Sequence, residues 1–243
     1  MKISVAMAAY NGESFILEQL TSILNQLGED DEVIVSVDPC KDNTLNIVTA
    51  LSELDARVKP VEGEGKGLIK NFENAISHCT GDFIFLSDQD DYWVADKVTT
   101  VMNRFMKEQA DLVLHNCSLV DVFLKPIQGG ESFFAMRATA TGFWKNFIKN
   151  SYMGCCMAFR KELVPEILPF PEEIPMHDQW IGLAAERCGA VIALEDKPLL
   201  LYRRHGGNVS DTSHSSVVQM FKWRKNMLKA LKKTKAKTNE VTK

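Results

Sequence analysis

From Ile3 to His115, short runs rich in β-branched and aromatic residues alternate with longer amphipathic runs. Parallel strands need crossover connections of about a dozen residues or more, usually helical, so this alternation restricts the chain to a mainly parallel sheet covered by helices. The pattern predicts strands over Ile3–Ala8, Glu32–Val37, Arg57–Val61, Asp82–Leu86 and Asp111–His115. Helices are predicted over Ser14–Leu27, Asn43–Leu54, Leu68–His78 and Ala95–Glu108. In the first of these, Leu17, Leu20, Ile23, Leu24 and Leu27 recur at helical spacing and form one stripe. Asp42 suits the N-cap of the second, and the third strand stops at Gly63, Gly65 and Gly67.

The second half has another texture. A glycine-bearing loop spans Lys125–Ser132, a short aromatic helix is predicted over Phe143–Ile148, and Pro165, Pro169, Pro171 and Pro175 follow. After them come a helix from His177 that stops at Gly189 and strands over Val191–Leu194 and Leu199–Tyr202. This half reads as a lid or acceptor-binding region. With 243 residues, 45% hydrophobic and 25% charged, the chain can bury a full core. The organisation expected is one domain over residues 1–212, with halves 1–115 and 116–212, and a separate segment over 213–243.

Twenty-eight Lys and Arg against 32 Asp and Glu give a net charge of −4, so no nucleic-acid partner is expected. The most apolar run, Tyr152–Phe159, is far too short to cross a bilayer as a helix. The N-terminus lacks the apolar core and cleavage site of a signal peptide, which leads to an expected cytoplasmic location. Six cysteines show no Cys-x-x-Cys spacing and sit among apolar neighbours, so reduced core thiols are expected, without zinc or disulfides.

Ligands of open parallel sheets bind beyond the carboxyl ends of the strands. Two acidic features fall there: Asp38 closes the second strand, and Asp88, Gln89, Asp90 and Asp91 follow the fourth. Three carboxylates in four residues repel one another unless a cation or hydrogen-bond donors sit among them. Mg²⁺ and Mn²⁺ prefer oxygen ligands and commonly share them with substrate phosphates, so a metal-bound diphosphate is the natural partner. An acidic turn capping the next helix is the alternative that these residues alone leave open.

Read together, AAYNGE (Ala8–Glu13), DPCKDNT (Asp38–Thr44), GLIKNFENAI (Gly67–Ile76), GDFIFLSDQDDYW (Gly81–Trp93), HDQW (His177–Trp180) and YRRHGGNVS (Tyr202–Ser210) resemble a family 2 glycosyltransferase of the GT-A fold. The DQDDYW and YRRHGGN pair is most similar to bacterial rhamnosyltransferases and other O-antigen or capsule enzymes. The resemblance implies a Rossmann-like α/β sheet and an inverting, metal-dependent transfer of sugar from a nucleotide diphosphate donor to a glycan acceptor.

It places Ala9, Tyr10, Glu13 and Asp38 in the nucleotide pocket, with Lys66 and Asn71 near the phosphates or ribose. Asp90 becomes the metal ligand, Asp88 a ribose or second metal contact, and Gln89 a further donor contact. Asp178 corresponds to the catalytic base, with Gln179 and Trp180 holding the acceptor or walling the site. His205 completes the metal shell or touches the diphosphate, Arg203 and Arg204 reach the same phosphates, and His177 packs. Helix capping by Asp38 or Asp178, and solvated Lys66 or arginines, are the plainer readings of the same residues. The family usually carries two acidic residues and then Gly-Ser at the second strand's end, where this chain has Val37 and then Pro39-Cys40 after Asp38.

From Val217, the residues Val217, Met220, Phe221, Leu228 and Leu231 fall on one helical face with Met227 at its edge, and Lys222, Lys225, Lys229, Lys232 and Lys233 fall on the other. With Trp223, this suits an anionic inner-leaflet surface, and then a lipid-linked acceptor; a helix packed on the catalytic domain fits the same pattern. Residues after Lys233 are expected to be disordered. A dinucleotide-dependent dehydrogenase needs its glycine fingerprint after the first strand, where this chain has AAYNGES. A non-catalytic sugar-nucleotide-binding protein of the same fold would have no need of a base.

Overall fold

A computed structural model describes residues 1–127, 132–172, 174–206 and 217–232, without the side chains of 217 and 218. The boundary expected near residue 213, Gly207 and Asn208, residues 128–131 of the Gly-bearing loop and the tail beyond 232 lie outside the described residues. The strands are β1 (Ile3–Ala9), β2 (Glu32–Val37), β3 (Val58–Glu62), β4 (Phe83–Asp88), β5 (Tyr92–Trp93), β6 (Leu112–Val120), β7 (Met157–Arg160) and β8 (Ile192–Arg203). The helices are α1 (Ile16–Leu24), α2 (Thr44–Leu54), α3 (Leu68–His78), α4 (Lys97–Glu108), α5 (Phe133–Arg137), α6 (Phe143–Ile148), α7 (Val164–Ile167), α8 (His177–Arg187) and α9 (Val217–Leu231).

One sheet runs in the order β3-β2-β1-β4-β7-β6-β8-β5. The β3-β2-β1-β4 half is parallel, and all of β1 and β2 is buried, as strands covered by helices on both faces must be. The register sets Ala8 beside Asp88 and Ala9 beside Val37. The turns after β1, β2 and β4 therefore open at one edge of the sheet, where ligands of such sheets bind.

The other half departs from the expected pattern in three places. The apolar run noted in the sequence supplies β7, which pairs antiparallel with both β4 and β6 and sits between them. Flanked on both sides, it is apolar almost throughout, so no alternation marks it as a strand. The two strands expected over 191–194 and 199–202 are one continuous β8, parallel to β6, with the register broken between His115 and Ser118 where Pro198 opposes Asn116. Directly after the acidic turn, Tyr92 and Trp93 form β5 against Leu201 and Leu200.

In α1 the buried stripe is Ile16, Leu20 and Ile23 with Gln19 and Ser22, whereas Leu17 points to water. The α9 helix packs on the domain through Met227 and Leu231, which are 1% and 2% exposed. Five cysteines are buried, Cys40 is half-buried, and all six are free.

Glu32 fastens the amino edge of the sheet. Its carboxylate is buried at the start of β2 and accepts from Ser4 Oγ at 2.6 Å, Thr80 N at 2.7 Å, Lys59 Nζ at 2.7 Å and Lys2 Nζ at 3.0 Å. Burial alone would raise its pKa, but these donors together hold it well below the usual carboxylate range. Such a depressed group stabilises the fold fully above its unfolded pKa and loses that contribution as pH falls. Glu32→Ala should cost about 3 kcal/mol in urea melts at neutral pH, with the gap to wild type narrowing below about pH 4.5.

Candidate functional site

The site begins at the carboxyl end of β4. Asp88 ends that strand, and its pKa is pushed up to about 7 by burial, by the like charge of Asp90 and by that of Asp178. Asp178 is far along the chain, yet close enough to act on Asp88. It lies in the first turn of α8, where amide dipoles favour a carboxylate. Its Oδ1 accepts from the backbone N–H of Gln179 and from Asn150 Nδ2 at 3.2 Å. Burial raises its pKa to about 6 against those bonds and one from the Gly154 backbone. As a whole residue Asp178 is half-buried.

Asp90 is held on the other side. His205 Nε2 lies 2.8 Å from Asp90 Oδ2, and the His205 ring packs against Phe15 at 5.0 Å between centroids. Asp91 turns inward: it is wholly buried, one carboxylate oxygen accepts the Arg203 backbone N–H at 3.1 Å, and the other has no partner among the described residues. Burial and the charges of Asp90 and Asp88 raise its pKa well above the ordinary value.

Arg203 braces this turn and does not face the site, contrary to the phosphate role expected for it. Its guanidinium is 4.7 Å over the Phe15 ring, donates to Asp90 O at 2.8 Å and Val122 O at 2.6 Å, and pairs with Glu18. Arg204 next to it is exposed at the end of β8. From α1, Gln19 Nε2 reaches Ser87 Oγ at 2.9 Å and Asp88 O at 3.1 Å, and Ser22 Oγ accepts from Trp93 N at 3.1 Å.

A second group of side chains gathers at the ends of β1 and β2. Ala9 O accepts from Asp38 N at 2.9 Å and Asn71 Nδ2 at 3.1 Å. Asp38 is 5% exposed and its Oδ1 accepts from Gly65 N at 3.0 Å. A Cβ at Gly63 would stand 2.4 Å from that oxygen and 2.9 Å from Asn71 Oδ1, so only glycine lets the two side chains meet there. Asn71 Oδ1 is buried without a hydrogen-bond partner among the described residues.

Tyr10 is 52% exposed beside them. Gln89 clasps its backbone, with Oε1 accepting from Tyr10 N and Nε2 donating to Tyr10 O, both at 2.8 Å. Gln89 thereby ties the turn after β1 to the turn after β4. Glu13 accepts from Asn43 N at 2.8 Å, and Lys66 pairs with Glu64 at 2.6 Å on the exposed surface.

Of the two roles expected for Trp180 and Gln179, holding the acceptor does not fit their burial. Trp180 is 3% exposed in the core with Nε1 donating to Ile167 O at 2.8 Å, and Gln179 Nε2 donates to Asn146 O at 2.8 Å. His177 is buried and stacked on Phe72 at 4.1 Å. Two participants carry little sequence signal. Asn150 lies in a polar loop, and Lys97 is buried at the start of α4, with Nζ 3.0 Å from Cys155 O and 4.0 Å from the Trp93 ring centre. A lysine at a helix N-terminus runs against the dipole, which is the one cue to its special setting. Burial lowers its pKa to about 8.

Ligand atoms of Asp88, Asp91 and Cys155 all lie within 4.8 Å of one another. Burial raises the Cys155 thiol well above its ordinary pKa and keeps it protonated, so the effective donors here are carboxylate oxygens. That set, with an unpartnered buried oxygen on Asp91, fits a hard divalent cation such as Mg²⁺ or Mn²⁺.

An α/β sheet of this order, with its turns gathered at one carboxyl edge, has the GT-A fold of solved glycosyltransferase structures. The family model Glycosyl transferase family 2 matches residues 4–168, and the chain belongs to that family. It is 29% identical over 215 residues to the dTDP-rhamnosyl transferase RfbG of Shigella flexneri, covering 83% of this chain and 72% of that one. It spans 16%, 38% and 51% of the length of three further curated relatives.

Among solved structures, TarS 1–349 of S. aureus in complex with UDP-GlcNAc superposes with a TM-score of 0.73 at 20% identity, over 95% of this chain and 66% of that one. The mannosyltransferase PcManGT from Pyrobaculum calidifontis in complex with GDP-Man and Mn²⁺ gives 0.65 at 19% identity, over 85% and 58%.

Because Arg203 joins four elements through a forked guanidinium, Arg203→Met should lower stability by about 3 kcal/mol in urea melts, and Arg203→Lys should recover only a minor part of it.

Proposed function

We propose that the protein transfers a sugar from a nucleoside diphosphate donor to a hydroxyl of a glycan acceptor with inversion at the anomeric carbon, in bacterial surface polysaccharide synthesis. The observation that carries this reading is that Asp178, from the second half, comes close enough to Asp88 at the end of β4 to raise its pKa, together with the like charge of Asp90. A binding protein gains nothing from setting a third carboxylate against two others, whereas a transferase needs a base within reach of the anomeric carbon.

The turn formed by Ala9, Tyr10, Asp38 and Asn71 receives the nucleoside. Asn71 Oδ1 accepts from the base or ribose, and the exposed Tyr10 ring covers it. Asp88 and Asp90, with Asp91 whose carboxylate lies within 4.8 Å of that of Asp88 in the same turn, would hold Mg²⁺ or Mn²⁺, with His205 beside Asp90. When bound, the ion offsets charge on the departing diphosphate. Arg204, exposed at the same edge, is an anion-binding side chain for that diphosphate.

Asp178 takes the acceptor proton as the acceptor oxygen bonds to the anomeric carbon and the bond to the diphosphate oxygen breaks. Asn150 and the Gln179 amide fix the carboxylate's direction. A pKa near 6 leaves it mostly ionised at neutral pH yet more basic than an ordinary aspartate. The acceptor is a glycan carried on a lipid at the inner leaflet, a partner suggested by the cationic α9.

With a nucleotide-sugar panel and Mn²⁺, the purified protein should release nucleoside diphosphate. Asp178→Asn should lower transfer by about a hundredfold or more while donor binding by calorimetry persists; full activity in this variant would remove the base assignment. The base must be unprotonated, so kcat/KM should fall on the acid side with an apparent pKa near 6, a limb absent from the residual activity of the variant. Asp90→Asn should abolish the Mn²⁺ dependence of donor affinity, and an unchanged isotherm with and without Mn²⁺ would refute the metal site.

A further inference from the structure

α6 and α9 leave an apolar strip in water that the core does not use. Trp144 and Ile148 on α6 are 67% and 66% exposed, and Phe221 on α9 is 66% exposed. These side chains belong to one surface. Trp144 and Leu228 line a single groove of about 400 Å³ where α6, α8 and α9 meet. Arg224 donates to Ile148 O at 2.9 Å and fastens the two helices.

Around α9 the faces follow one another in a fixed order. Met227 and Leu231 point inward, Leu228 and Phe221 come next, and Lys222, Lys225, Lys229 and Lys232 follow. The sequence from Val217 to Lys232 contains no Asp or Glu, and α6 adds exposed Lys145 and Lys149 on its own side. The strip therefore has a cationic rim.

A second copy docked here would set lysines against lysines. An acidic protein would match the rim alone, whereas an anionic bilayer matches both features, since aromatic and aliphatic side chains enter the headgroup region and lysines meet lipid phosphates. We propose that this α6–α9 face seats the protein on an anionic lipid surface, with Trp144, Ile148 and Phe221 as the inserted side chains.

The placement bears on the reaction through α6. Two residues past Ile148, at most about 7 Å of chain, Asn150 holds the carboxylate of Asp178. A hydroxyl carried on a membrane lipid would thus arrive on the side of the base. This consequence rests on the transfer reaction proposed above; the lipid docking itself does not.

The test is co-sedimentation with phosphatidylglycerol–phosphatidylcholine vesicles and with phosphatidylcholine alone, together with nucleoside diphosphate release in solution. Binding should need phosphatidylglycerol and weaken with salt. Trp144→Ser with Phe221→Ser should lower the partition coefficient by about tenfold or more, and Lys222→Glu with Lys229→Glu by a similar factor. All four positions are exposed, so melting temperature and solution turnover should stay at wild-type values. Absence of wild-type binding, or equal binding by both variants, overturns the proposal, as does self-association in ultracentrifugation that the serine variant abolishes. Loss of nucleoside diphosphate release with vesicle binding intact would instead count against the transfer reaction alone.

Discussion

Everything at the carboxyl edge of this sheet depends on keeping several like charges together. Asp88, Asp90 and Asp91 follow one another at the end of β4, and Asp178 joins them from α8. The protein offsets part of the repulsion with a rigid frame: Arg203 holds the backbone of Asp90 and the side chain of Asp91, and Gln19 holds the end of β4. What remains is a set of carboxyl groups with raised pKa values, a site that a divalent cation would relieve. The frame is polar and buried, so it tolerates little change, and it leaves the exposed oxygens free for chemistry.

The two halves of the chain supply complementary parts. The parallel half provides a turn whose floor is the Ala9 carbonyl and whose wall is Asp38 with Asn71, made possible by the absence of a side chain at Gly63. The other half enters the same sheet through β7 and β8. Asp178, in α8 of this half, comes close enough to Asp88 at the end of β4 to raise its pKa. Family 2 membership and GT-A architecture agree with that arrangement, and Asn150, two residues past the short α6, bonds Asp178.

Much of the parallel half was legible because its physics is local. Alternating β-rich and amphipathic runs mark β1 to β4 and α1 to α4, and acidic residues after apolar strands mark the site edge. The motif resemblance added Asp178 and His205 as candidates, and the structure sets Asp178 near Asp88 and His205 against Asp90. Other details were not legible. An apolar run buried on both faces has no period to separate strand from helix, which hid β7. Arg203 beside Arg204 looks like a second surface arginine, and only the fold shows one buried against Phe15 and the other exposed.

The sequence by itself determined the α/β class, the sheet edge at which the acidic turns lie and the amphipathic character of α9, since each follows from spacing along a few neighbouring residues. Only the tertiary structure decided which carboxylates meet, which arginine is a brace, that Gln179 and Trp180 serve packing, and which face of α9 the domain covers. Those outcomes rest on pairings between residues far apart in the chain, and no local pattern encodes the distance between two side chains that meet only when the sheet closes.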